Sequence, residues 1–110
     1  MDKKDDRKTY DRLNKSERAL YDLFSKNPGV KFQRKNLRNY LDATDQTMRD
    51  SLRTIKQVMP ICNFQDGEGY WLSENIKEVK RMYNQELHRL KELKKSIFVL
   101  ETFLKDKGAM

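Results

Sequence analysis

Between residues 44 and 59, TDQTMRDSLRTIKQVM, the apolar side chains Met48, Leu52, Ile55 and Met59 recur at steps of four, three and four. That spacing is a helical stripe, so one face of this segment is core. Thr44 is a good N-cap, and Asp45 stands in the first turn, where its charge complements the helix N-terminus. Pro60 stops the pattern and predicts a helix that runs to Met59. Upstream, Asn14 with Glu17 three residues on is a variant capping box, and Leu20, Leu23 and Phe24 form a second stripe. This predicts a helix over Lys15–Lys26, closed by Asn27-Pro28-Gly29.

Val30-Lys31-Phe32 alternates apolar and polar, which predicts a very short strand before a helix at 33–41 that buries Leu37, Tyr40 and Leu41. Downstream, the apolar run 61–64, the glycine-containing turn 65–69 and the aromatic run 70–72 predict a β-hairpin. Trp71 and Tyr70 are expected in the core, and Cys62 is expected as a small packing residue. Ser73 is expected to cap a final helix with no Gly or Pro until Gly108. Val79, Tyr83, Leu87, Leu90, Leu93, Ile97, Leu100 and Leu104 recur along it at steps of three and four. Such a helix spans roughly 46 Å at 1.5 Å per residue, more than a small domain can cover. Its far half needs a partner, most economically a second copy through these residues, with Met82, Phe98 and Phe103 widening the stripe.

The tight connection Asp42-Ala43-Thr44 joins the helix at 33–41 to the one at 44–59, which is how a helix-turn-helix reads. At 100° per residue the face opposite the core stripe carries Gln46, Asp50, Arg53 and Gln57, flanked by Thr47, Arg49 and Lys56. Gln46, Thr47, Arg49, Asp50 and Arg53 are therefore candidates to face base edges in the major groove, Gln suiting adenine and Arg guanine. Arg34, Lys35, Arg38 and Lys56 are candidates for phosphate contacts; as ordinary surface charges, they would do nothing of the kind.

Charge sharpens this picture. Residues 30–59 hold seven basic and three acidic side chains and residues 76–110 nine and five, whereas residues 60–75 hold none and three. The net +7 thus lies on the candidate reading segment and the last helix, which favours encounter with a polyanion without proving one. Residues 1–12 alternate charges with almost nothing apolar and are expected as a flexible arm whose acids largely cancel its bases.

Catalytic chemistry finds no foothold. One Cys and one His exclude an internal disulfide and a Cys/His zinc site, and no glycine-rich phosphate loop or nucleophile with a base partner occurs. No enzyme, metal or cofactor is expected. No membrane-spanning run or leader segment is read, so the expected location is the cytoplasm.

The order helix, short strand, helix, helix, hairpin over residues 14–72 resembles a winged helix-turn-helix domain. PICNFQDGEGYWLSE resembles the wing of small winged-helix proteins of bacteriophages and mobile elements, in which a long helix commonly follows. The resemblance implies a mainly α fold with a small β-hairpin wing: an arm at 1–12, a winged helix-turn-helix head at 13–72 and a long C-terminal dimerisation helix at 73–107. It further implies a homodimer that binds double-stranded DNA in transcription regulation or replication. One departure is clear: winged-helix DNA binders often carry Arg or Lys in the wing, and this wing has Asp66 and Glu68 instead. The alternative is a protein-interaction module, an inhibitor or adaptor of a host or phage protein that does not bind DNA.

Overall fold

Local signals place most helix ends. The structure is a computed structural model that describes the backbone of residues 3–110 and the side chains of residues 7–110. In chain order the elements are α1 (Lys3–Arg12), α2 (Lys15–Lys26), α3 (Arg34–Leu41), α4 (Asp45–Lys56), β1 (Ile61–Cys62), β2 (Trp71–Leu72) and α5 (Ile76–Asp106). The chain is mainly helical, with one small antiparallel sheet and a long C-terminal helix. It forms two units, Met1–Val79 and Lys80–Met110.

The first unit is built on α2. The Asn14 side chain accepts from the Glu17 amide at 2.8 Å and Glu17 accepts from the Asn14 amide at 2.8 Å, so the expected capping box forms and α2 starts where it was read. Leu20 and Phe24 are fully buried against Leu37 of α3 and Met48, Leu52 and Ile55 of α4, with Leu13 and Ile61 closing the cluster. Each such side chain contributes roughly 1.5–3 kcal/mol of burial.

Expectations for four segments need correction. Residues 3–12 were expected as a flexible arm, yet they are helical, and the described end of α1 is docked. The Tyr10 hydroxyl donates to Asp22 Oδ2 at 3.1 Å, which pushes the phenol above its ordinary range, and the ring meets Tyr21 edge-on at 5.4 Å. Arg18 donates to the carbonyls of Tyr10 and Asp11 at 3.1 and 2.8 Å. Two apolar feet, Tyr10 and Leu13, suffice because a neighbouring helix supplies their partners. Met1 and Asp2 of the expected arm lie outside the described residues.

Second, α4 ends at Lys56 rather than Met59. The amides of Gln57 and Val58 bond three residues back, to Thr54 and Ile55 at 3.0 Å each, so the last turn tightens. Pro60 disfavours helical backbone at Met59, and the unwinding starts before it. Met48, Leu52 and Ile55 are buried as expected, while Met59 is half-buried beyond the helix.

Third, the expected strand at 30–32 is a single bridge, Phe32 to Tyr70, with backbone bonds of 2.8 and 2.9 Å. The turn at Pro28-Gly29 precedes it, and α3 begins two residues after it. Tyr40, expected in the core, is 52% exposed, whereas Leu37 is buried and Leu41 half-buried.

Fourth, Ser73 does not cap α5. Asn75 Oδ1 accepts from the amides of Lys77 and Glu78 at 2.9 and 3.2 Å. Ser73 instead donates from Oγ to Glu78 at 2.7 Å and accepts from the Asn75 amide at 3.1 Å, beneath the surface.

The hairpin pairs Ile61 with Leu72 and Cys62 with Trp71. Trp71 is buried as expected, and Tyr70 is half-buried. Cys62 is buried too, and burial pushes its thiol above the ordinary cysteine range. It is expected to resist a thiol reagent at neutral pH in the folded protein and to react within minutes once urea unfolds the chain. Rapid modification without denaturant would show that the hairpin opens readily.

Candidate nucleic-acid interface

A helix that buries one stripe must offer the other, and α4 does so. The base-reading candidates Gln46, Thr47, Arg49, Asp50 and Arg53 are all exposed, on the side away from Met48, Leu52 and Ile55. They are also organised. Gln46 Nε2 donates to Asp50 Oδ1 at 2.8 Å, and Arg53 approaches the same oxygen at 3.7 Å. Asp50 therefore acts as a hub for the two residues best suited to read adenine and guanine. Releasing Arg53, whose side chain is 72% exposed, costs little, because an exposed ion pair is worth about 0.2–1 kcal/mol.

Thr47 joins the N-cap: its backbone amide donates to Thr44 Oγ1 at 3.2 Å, and its own Oγ1 accepts from the Thr44 hydroxyl at 3.1 Å. Asp45, one residue into the helix, does more than complement the helix dipole. Arg34 of α3 grips its carboxylate with two bonds, at 3.0 and 2.7 Å, and Arg49 lies 3.7 Å away. Arg34, expected at phosphate, thus ties the start of α3 to the start of α4. A two-pronged arginine–carboxylate pair fixes orientation as well as distance.

The other phosphate candidates divide. Lys35 and Arg38 are exposed on α3 and make no ion pair among the described residues. With Arg34 and Asp45 they line one shallow surface depression. Lys56, at the far end of α4, holds its ammonium 5.4 Å from the centre of the Tyr70 ring.

The hairpin tip brings in residues that sequence reasoning missed. Lys31 pairs with Glu68, and that hydrogen bond holds its ammonium above the ordinary lysine range. The same ammonium sits 4.7 Å over the Trp71 ring. Gln33, just before α3, donates to the Gly67 carbonyl at 2.7 Å, and Asn63 to the Gly69 carbonyl at 2.8 Å. The tip is thereby tied to the start of α3 and one of its two acids is countered. The alternation at 30–32 marks Lys31 as outward, but no local signal pairs it with a residue 37 positions away.

The candidate dimerisation residues lie on α5, where no residue is buried. Tyr83, Leu90, Leu93, Ile97, Leu100 and Leu104 are exposed, and Val79 and Leu87 are intermediate. Among the described residues no three His, Cys, Asp or Glu side chains are grouped to hold a metal ion, and no helix is long and apolar enough to cross a membrane. Compared with known protein families, curated protein sequences and solved structures, the chain matches none.

Proposed function

We propose that the first unit is a winged helix-turn-helix domain that binds double-stranded DNA sequence-specifically, as a homodimer joined through α5. Its role is non-catalytic, in phage-type transcription regulation or replication within a bacterial cytoplasm. The observation that carries this reading is the exposed face of α4, where Gln46, Arg49 and Arg53 stand away from a buried stripe of Met48, Ser51, Leu52 and Ile55. A helix this polar on one side and this well anchored on the other suits the major groove. Lys35 and Arg38 on the preceding helix supply charges for the flanking phosphates.

The test is a fluorescence-anisotropy titration of DNA from around the protein's own gene beside random duplex, at several salt concentrations. Tight saturable binding that exceeds random binding and weakens with salt supports the reading. Arg53→Ala is then expected to cost about 1–3 kcal/mol on the preferred site and little on random duplex, if it pairs with guanine through two bonds. Lys35→Ala is expected to weaken both alike and to reduce the salt slope by about one. Equal losses on both duplexes for Arg53→Ala would remove it from the base-reading set.

A second reading is favoured by one observation: Asp66 and Glu68 stand at the hairpin tip, where phosphates would repel them. On that reading the domain binds a host or phage protein and not DNA. Absence of saturable DNA binding even at low salt would select it.

A further inference from the structure

A heptad can be laid on the second unit. Leu90, Ile97 and Leu104 take position a, and Leu93 and Leu100 take position d, an unbroken apolar seam along one side of α5. The seam has a defined start. One heptad step earlier, position d is Glu86, exposed and paired with Arg89 at 3.3 Å, so a partner helix cannot continue past Leu90 without burying a charge. Leu93 and Leu100 are 58% and 63% exposed and continue one contiguous apolar row with Leu90, Ile97 and Leu104.

The charges beside the seam distinguish the two ways a second copy can lie. In a parallel, in-register pair, position g of one helix faces position e five residues further along the other. Arg89 would then face Lys94 of the second copy, twice over, and both repel. In an antiparallel pair that stacks Ile97 on Leu100 and Leu93 on Leu104, the e positions face each other instead. Lys94 then meets Glu101 of the second copy, again twice. Neither Lys94 nor Glu101 has an ion-pair partner within its own chain among the described residues, so both are available. Sliding the antiparallel pair by one heptad brings Lys94 against Lys94, and sliding it by two presses Glu86 onto Ile97. Sliding it one heptad the other way brings Glu101 against Glu101. The remaining register pairs opposite charges, and its outermost layers set Leu90 against Lys107, just beyond α5, whose aliphatic stem covers the leucine while its ammonium stays in water.

We propose that residues 90–107 pair antiparallel with the same segment of a second copy, with Ile97–Leu100 layers on either side of the twofold axis and reciprocal Lys94–Glu101 pairs beside them. This rests on the reading of the protein as a homodimer and adds its direction and register. The interface is isologous: every contact made by one copy is returned by the other. Phe98 and Val99, 69% and 65% exposed, fall outside this seam and form the outer surface of the pair.

The test is a charge swap on the full chain, read by sedimentation equilibrium at low ionic strength, where exposed pairs are least screened. Lys94→Glu replaces two attractions with two repulsions and is expected to raise the dimer dissociation constant about tenfold. Adding Glu101→Lys to the same chain restores the pairing with signs reversed, and the dissociation constant is expected to return to near its starting value. A parallel pair gives the opposite first result, since Lys94→Glu would face Arg89 and tighten association. Tightening, no change, or weakening that Glu101→Lys does not reverse overturns the antiparallel register. An unmodified chain that stays monomeric at every concentration overturns the homodimer reading itself, a distinct failure.

Discussion

Trp71→Ala is expected to destabilise the first unit by about 3–5 kcal/mol, the range for removing a large aromatic from a core. Trp71 is fully buried, packs edge-on against Phe64 at 5.5 Å, lies under the Lys31 ammonium and is hydrogen-bonded through its indole to Glu78 at 3.4 Å. It therefore joins the hairpin, the residues before α3 and the first turn of α5. A loss of that size is a large fraction of the roughly 5–15 kcal/mol that holds a domain together. Urea unfolding followed by circular dichroism at 222 nm would read it. Trp71→Phe keeps most of the ring contact and loses only the indole bond and some volume, so its cost is expected to be less than half as large. Equal costs for the two would mean that the hydrogen bond to Glu78, and not packing, holds this corner.

Gly69→Ala is expected to cost about 3 kcal/mol, combining backbone strain with a collision. The backbone of Gly69 has φ +100°, and a Cβ built on it would lie 2.5 Å from the Phe32 carbonyl oxygen and 2.8 Å from its carbon. Those atoms are main chain and cannot swing aside. Moving them would break the two backbone bonds between Phe32 and Tyr70 that join the hairpin to the segment before α3. Gly67 supplies the control: its φ is +85°, but a Cβ there meets nothing within 4 Å. Gly67→Ala is expected to cost about 1 kcal/mol, from conformation alone. If both substitutions cost the same by thermal melting, the close approach at Phe32 is not what restricts residue 69. If Gly69→Ala also weakens DNA binding while the chain remains folded, the hairpin position matters to the interface.

These two positions show where reading a chain as a string succeeds and where it stops. GEGYW marks a turn followed by buried aromatics, and that much is local. Which backbone atom Gly69 approaches depends on a residue 37 positions earlier. The same division runs through the candidate interface. Periodicity placed Gln46, Asp50 and Arg53 on the outer face of α4, because a helix repeats at 3.6 residues whatever surrounds it. Periodicity also raised the Gln46–Asp50 and Asp50–Arg53 spacings to neighbour distance, yet the reading of each residue as a separate DNA contact passed over their mutual pairing. The Arg34–Asp45 pair escaped the sequence reading for a different reason. Asp45 sits on the next helix, and the turn between the helices sets their separation.

The helix starts divide in the same way. Asn14 and Glu17 cap α2 through bonds that span three residues, so the sequence by itself determined where that helix begins, as it determined the core stripe of α4 and the existence of the hairpin. The tertiary structure decided that Ser73 turns inward to Glu78 and leaves the capping of α5 to Asn75, that the charged first segment folds as α1 once Asp22, Arg18 and Tyr21 receive Tyr10, and that Lys31 counters an acidic hairpin tip. Local hydrogen-bonding and the helical repeat act over a few residues and are written in order along the chain. Choosing between two competent capping residues, or giving a short amphipathic segment something to rest on, requires groups that only the folded chain brings together.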